Sequence, residues 1–157
     1  MYIISGCLCG VNCKYNGKNN INPQCVKLLE EGKAILVCPE QLGGLTTPRR
    51  PAEIKGTANG VFEGVDKLLN DEGVDVTENF KKGALEVLNI AKILNVEGII
   101  LKEGSPSCGV NFVYDGSFSG KKIKGMGLTT FLLKKNGFKV ISEVNLGGEK
   151  SGVLESI

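Results

Sequence analysis

The sequence has no histidine and no tryptophan. The first absence removes the commonest general base and the commonest zinc ligand, so any catalysis must come from carboxylates, hydroxyls, thiols or a bound group. No two cysteines are spaced Cys-x-x-Cys, which argues against a zinc ribbon and against a thioredoxin-type redox pair. No apolar run approaches the ~18 residues of a membrane span, and Met1 to Gly6 carries no basic segment, so neither a span nor a signal peptide is expected. An excess of one charge is missing too. With 19 basic and 17 acidic residues the net charge is +2, too small for a strong nucleic-acid or membrane field. We therefore expect a cytoplasmic protein, in which the six cysteines are thiols or metal ligands rather than disulfides.

What the chain does have is one core's worth of apolar residues, 41% of 157, and 22 glycines, about twice ordinary usage. A single domain covering residues 1–157 is expected, with the glycines serving tight turns and close approaches. Tyr2-Ile3-Ile4, Ala34-Ile35-Leu36-Val37, Gly98-Ile99-Ile100-Leu101 and Phe138 to Ser142 read as short buried strands. Asn22-Pro23 opens a helix that runs to Gly32, and Asp75 or Thr77 caps a longer one in which Phe80, Ala84, Leu85, Val87, Leu88, Ala91, Ile93 and Leu94 keep one face apolar. Leu128 to Lys135 reads as a last helix that stops at Asn136-Gly137. The segment Thr46 to Gly73 is irregular, with a short hairpin expected over Ala52 to Val65 turning at Ala58-Asn59-Gly60 and burying little. A turn or small hairpin is expected at Val113 to Gly116, and the tail after Gly147 reads as mobile. Alternating strands and helices imply an α/β fold of three layers, a Rossmann-like, mostly parallel sheet with helices on both faces.

In such folds ligands gather beyond the carboxyl ends of the strands. Cys7, Cys38 and Cys108 all follow apolar strand runs and so lie on that side. Three thiols from three strand ends suit a metal or iron–sulfur site. A zinc site of four cysteines would need Cys9 or Cys13 as well, whereas a cluster with three protein ligands leaves one iron open to act as a Lewis acid or to bind soft sulfur. Glu40, two residues past Cys38, is a carboxylate able to move protons, and Ser105 and Ser107 flank Cys108 with hydroxyls. Lys102 and Glu103 are placed to pair with each other or tune the field. Cys25 lies among Val26 and Leu29 on a helical apolar face and reads as core.

The motifs Ser5-Gly6-Cys7-Leu8, Cys13-Lys14-Tyr15-Asn16-Gly17, Cys38-Pro39-Glu40-Gln41-Leu42-Gly43-Gly44-Leu45-Thr46-Thr47-Pro48-Arg49 and Lys102-Glu103-Gly104-Ser105-Pro106-Ser107-Cys108-Gly109, in this order, resemble the thiouracil desulfidase family, long catalogued as a domain of unknown function. Gly6 and Cys9 depart from that family's usual alanine and leucine. The resemblance implies an iron–sulfur-dependent enzyme that takes sulfur from thiolated uracil, converting thiouracil or thiouridine to uracil or uridine plus sulfide. It also implies a [4Fe–4S] cluster on Cys7, Cys38 and Cys108, with the open iron binding the substrate sulfur. By the same resemblance Glu40 and Ser105 are catalytic, assisting water attack and proton transfer. For substrate contact we expect Ser107, Gly43, Gly44 and Arg49, with Tyr15 and Phe112 as possible stacking rings. The expected partner is a small thiolated pyrimidine or nucleoside, with thiolated tRNA as a further candidate. A zinc- or cluster-containing nucleotide- or RNA-binding module without catalysis is the alternative.

Overall fold

The computed structural model describes residues 1–146, so the expectation for the tail after Gly147 lies outside the described residues. In chain order the elements are β1 (Tyr2–Ser5), α1 (Pro23–Glu30), β2 (Ala34–Val37), α2 (Pro39–Leu42), β3 (Ala52–Lys55), α3 (Ala58–Phe62), β4 (Lys67–Asn70), α4 (Thr77–Leu94), β5 (Gly98–Leu101), β6 (Phe112–Tyr114), β7 (Lys122–Lys124), α5 (Leu128–Lys135) and β8 (Val140–Ser142), with a 3-10 turn over Gly6–Cys9 directly after β1.

The main sheet is parallel throughout, in the order β2-β1-β5-β8. Its two central strands are buried at every residue, as their continuous apolar runs require. Strand alternation divides the core between the faces. Ile3, Ile99 and Leu101 pack with Val87, Leu88 and Ala91 of α4 and Leu133 of α5, while Ile4 and Ile100 pack with Cys25 and Leu28 of α1. Each fully buried isoleucine or leucine here contributes about 1.5–3 kcal/mol. This is the three-layer α/β arrangement expected.

The chain leaves β1 towards β2 on one side and later returns to add β5 on the other, so the strand order reverses at β1. Loops leaving β1 and β5 part there, and a crevice opens at their carboxyl ends.

The helix starts have local causes. Asn22 accepts hydrogen bonds from the N–H groups of Gln24 and Cys25, with Pro23 in the first turn of α1. Asp75 accepts from the N–H of Thr77 at 2.9 Å as α4 begins. On α4 the inward stripe is Phe80, Ala84, Val87, Leu88 and Ala91, and the expectation that Leu85, Ile93 and Leu94 belong to it fails: they are 52%, 77% and 39% exposed. Those three lie beyond the arc of the helix that the sheet can cover.

The Thr46 to Gly73 segment also differs from expectation. Ala58-Asn59-Gly60 begins a helix, α3, rather than a hairpin turn, because Thr57 caps it by accepting from the N–H of Gly60. The strand paired with β3 is β4, antiparallel, reached only after that helix. Nor does the segment bury little: Ile54, Ala58, Val61 and Leu68 join Phe80, Ala84 and Leu128 in a third core cluster.

One close approach positions chemistry. At Gly83 of α4 a Cβ would stand 1.9 Å from the carbonyl oxygen of Pro39, and at Gly43 one would stand 2.0 Å from that of Asn79. Two facing glycines thus let α2, which carries Glu40, lie directly on α4, and Asn79 fastens the contact by donating to the Gly43 carbonyl at 2.9 Å. Gly83→Ala is expected to cost about 3 kcal/mol, since the obstacle is backbone and cannot swing aside. Chemical denaturation would measure that loss.

Candidate functional site

A cavity of about 620 Å³ lies at the carboxyl ends of β1, β2 and β5. Four thiols line it: Cys7, Cys13, Cys38 and Cys108. Cys7 comes from the 3-10 turn after β1, Cys38 is the residue that ends β2 and caps α2, and Cys108 sits on the loop after β5. Cys9 and Cys25 are not among the lining residues. Cys25 is fully buried in the α1 core, as expected, and burial pushes its thiol up to about 12.

The cavity thiols crowd one another. The bond Cys38 makes with Cys13, then burial, then the Glu40 charge, all push the Cys38 thiol upward. For Cys13 the bond to Cys38 lowers its pKa, but its bond to Cys7, burial and the Cys7 and Glu40 charges outweigh it, leaving about 11. Cys108 is raised by burial first and the Glu40 charge second. Left to themselves Cys13, Cys38 and Cys108 are neutral thiols, donors that a cationic metal centre would convert to thiolates. Among the described residues no three Cys, Asp or Glu side chains converge tightly enough to share one ion. The thiols line one cavity from three strand ends, and thiolate is the donor that both zinc and iron–sulfur centres take.

Beside the thiols stands Glu40, 13% exposed, with one carboxylate oxygen engaged and one not. Oε2 accepts from Arg49 Nη2 at 3.1 Å, while Oε1 is buried without a partner. Arg49, 8% exposed, is itself locked: it donates to the Cys13 carbonyl at 2.9 Å and to Thr47 Oγ1 at 3.0 Å. A buried carboxylate oxygen without a partner is costly, and such atoms in native proteins call for an explanation. The other unpartnered buried side-chain atom found among the described residues, Asn20 Nδ2, belongs to a residue lining the same cavity. Its orientation is determined by Lys14, which donates to Asn20 Oδ1 at 3.2 Å, so the amino group must face the other way.

The loop after β5 contributes Ser105, a lining residue whose Oγ accepts from the N–H groups of Ser107 and Cys108, each at 3.0 Å. With its lone pairs so used, the Ser105 proton is available for donation. Ser5, at the end of β1, was not singled out from sequence. Its hydroxyl reaches the Cys108 sulfur at 3.5 Å and accepts from the N–H of Lys102 at 3.0 Å, tying two strand ends together.

The sequence profile of the 2-thiouracil desulfurase family matches residues 2–145. The chain belongs to that family. It is a family of enzymes, and two relatives show how closely the chain follows its pattern. The protein YbbK of Bacillus subtilis, described as uncharacterized, is 50% identical over 147 residues, 93% of this chain and 97% of its own. A solved structure described as the [4Fe-4S]-dependent thiouracil desulfidase TudS superposes with a TM-score of 0.86 at 37% identity, covering 99% of this chain and 98% of that one.

Within this desulfurase-family fold several expected site residues fall elsewhere. Ser107 is fully buried and does not line the cavity; its hydroxyl shares a 2.8 Å hydrogen bond with Thr129 of α5 and also bonds the Cys108 thiol, a contact that works against the burial-driven rise of that thiol's pKa. Gly43 and Gly44 do not line the cavity either; the first makes the α2–α4 approach, and the second has a φ of 90° at the turn that ends α2. Arg49 does reach the cavity, yet its guanidinium orients Glu40 instead of standing free for a substrate anion. Lys102 pairs with Glu143 at 2.9 Å, not with the Glu103 carboxylate. No described helix is long and apolar enough to cross a membrane.

Glu103 shapes the Cys108 loop. Its Oε1 accepts from the N–H groups of Val110 and Asn111 at 2.8 Å and, more weakly, those of Gly104 and Phe112, while Oε2 accepts from Asn111 Nδ2 at 2.6 Å. Burial alone would raise its pKa, but these bonds prevail and the carboxyl is held below its ordinary range. A depressed folded-state value means the stabilisation is complete above the unfolded value of ~4.3 and is lost as pH falls through the folded one. Glu103→Gln, which turns an amide N–H₂ towards donors, is expected to cost about 2 kcal/mol near pH 7. Denaturant titrations from pH 7 to pH 3 should show the gap to wild type closing at the acid end.

Proposed function

We propose that this protein hydrolyses the C–S bond of a thiolated uracil, giving uracil and sulfide. The observation that carries the reading is the unpartnered, buried carboxylate oxygen of Glu40 in a cavity lined by thiols from three strand ends. Cys7, Cys38 and Cys108 would hold a [4Fe–4S] cluster, and Cys13 would remain a neighbouring thiol. Such a centre, with one iron free of protein ligands, supplies a thiophilic Lewis acid.

Glu40 Oε1 then acts as the base. It takes a proton from a water whose oxygen bonds to the thiocarbonyl carbon, while Arg49 keeps the carboxylate in place through Oε2. The C–S bond breaks, sulfur leaves as sulfide, and the two protons of the water end on the departing sulfide. No electron is gained or lost, so no reductant is needed. Ser105, its oxygen held by two backbone N–H groups, relays one of those two protons, giving its own to the departing sulfur and being reprotonated with the one that the water released. The walls are the right chemistry for a flat heterocycle, with Tyr15, Phe112, Tyr114 and Phe118 among the lining residues. A cavity of about 620 Å³ admits a free base or nucleoside whole, whereas a thiolated tRNA would have to present its base splayed out. Small thiolated pyrimidines are therefore our substrate class. Protein purified without air, reconstituted with iron and sulfide and given 2-thiouracil should release sulfide and uracil in equal amounts; a protein carrying iron that leaves thiouracil intact would overturn the reading.

A further inference from the structure

Two non-glycine residues among those described have positive φ. Asn95, at 48°, ends α4 in the left-handed conformation that asparagine commonly takes there. Phe118, at 56°, has no such reason, because a bulky side chain in this region is a genuine outlier. Strain of this kind persists only where surrounding contacts impose it, and those contacts come from β3. Glu53 Oε1 accepts from the N–H of Gly116 at 2.9 Å and from that of Phe118 at 3.1 Å. Lys55 donates to the Gly116 carbonyl and sets its ammonium 5.4 Å from the centre of the Phe118 ring. Gly116, with a φ of 91°, lies so close that a Cβ would stand 2.6 Å from the Ile54 carbonyl. Three successive residues of β3 thus hold the tip of the β6–β7 hairpin, and the result is that Phe118 lines the thiol cavity.

The other two rings of the hairpin are already engaged. Phe112 and Tyr114 pack edge to face at 6.3 Å, with Lys122 over Phe112 at 4.7 Å. Among the described residues no ring packs on Phe118. We propose that Phe118 is the stacking wall for the pyrimidine, with Glu53 and Lys55 as positioning residues that hold the ring in the cavity. The proposal rests on the thiolated-uracil reading above. Stacking on an aromatic ring is the usual way proteins grip a base regardless of its substituents, and a cation on the ring polarises it further.

The test uses cluster-loaded protein, with calorimetric Kd for uracil as a readout independent of turnover and KM and kcat for 2-thiouracil beside it. Phe118→Leu keeps apolar bulk but removes the π face. It is expected to raise Kd and KM about ten-fold with kcat within about two-fold, the pattern of lost uniform binding. Phe118→Trp should retain or tighten binding. Glu53→Ala should weaken binding several-fold, and the Glu53→Ala/Phe118→Leu double variant should be no weaker than Phe118→Leu alone, since Glu53 acts through the ring. Circular dichroism and iron content identify variants that failed to fold. Unchanged Kd and KM in Phe118→Leu, with wild type releasing sulfide, would overturn the stacking role alone. Wild type that binds uracil in a Phe118-dependent way but releases no sulfide would overturn the desulfidase reading and leave the wall standing. Additive effects in the double variant would overturn the positioning role.

Discussion

Cys108→Ala purified anaerobically and reconstituted is expected to remain folded yet lose most of its iron, with sulfide release from 2-thiouracil falling by more than ~100-fold, since changing even an outer partner of a metal ligand typically costs 10–100-fold. The physical case is that Cys108, 4% exposed, is the deepest of the three strand-end thiols and the one whose sulfur is held by Ser5. Removing one small sulfur from this position leaves a void of about one methyl group, about 1 kcal/mol, too little to unfold the domain. Cys25→Ala is the control, because it removes a buried thiol of α1 that packs in the core on the other face of the sheet and does not line the cavity. That variant should show a comparable loss of stability and full iron content. Iron and acid-labile sulfide quantitation decide the matter, and wild-type iron in Cys108→Ala would remove the cluster assignment.

The second large effect is expected at Glu40. Glu40→Gln keeps an oxygen for Arg49 but removes the base, so kcat should fall by ~10²–10⁴ while KM for 2-thiouracil and iron content stay within about two-fold. Stability should change little, because Arg49 also has the Cys13 carbonyl and Thr47 hydroxyl to satisfy it. A kcat equal to wild type would mean that water is activated by another group. The variant separates chemistry from assembly, which the Cys108 variant does not.

These two residues were legible for different reasons. Cys108 follows the apolar run of β5, and Glu40 follows a cysteine that ends β2, so strand logic alone brings them to one edge of a parallel sheet. The same logic does not say which way a side chain faces once the strand has ended. Ser107 and Ser105 are two residues apart in one hydroxyl-rich loop. One is drawn under α5 by Thr129, the other holds the backbone at the cavity. Cys9 and Cys13 looked equivalent as extra thiols. The 3-10 turn, at three residues per repeat, sends Cys7 and Cys9 in different directions, and a hydrogen bond from the N–H of Cys13 to the Val11 carbonyl at 2.8 Å folds the loop back so that Cys13 joins the cavity.

The glycines of the Cys38 motif teach a similar point. Gly43 follows Glu40 closely enough to suggest contact with a ligand, yet what approaches it is another helix, whose own glycine lies forty residues further along the chain. No local pattern announces that pairing. Glu53 and Phe118 are the extreme case: an ordinary edge-strand carboxylate and an ordinary hairpin phenylalanine, related only across 65 residues by a hydrogen bond.

By itself, then, the sequence determined the layered α/β architecture, the strand ends that face the site and the family to which the chain belongs, because apolar periodicity and separated motifs are properties of local order. The tertiary structure alone decided that Arg49 orients Glu40, that Cys13 rather than Cys9 joins the thiols, and that Ser107 and Gly43 lie outside the cavity lining. Side-chain direction in irregular loops is set by whichever distant carbonyl, carboxylate or helix lies within hydrogen-bond or van der Waals reach, and that neighbour exists only after the chain has folded.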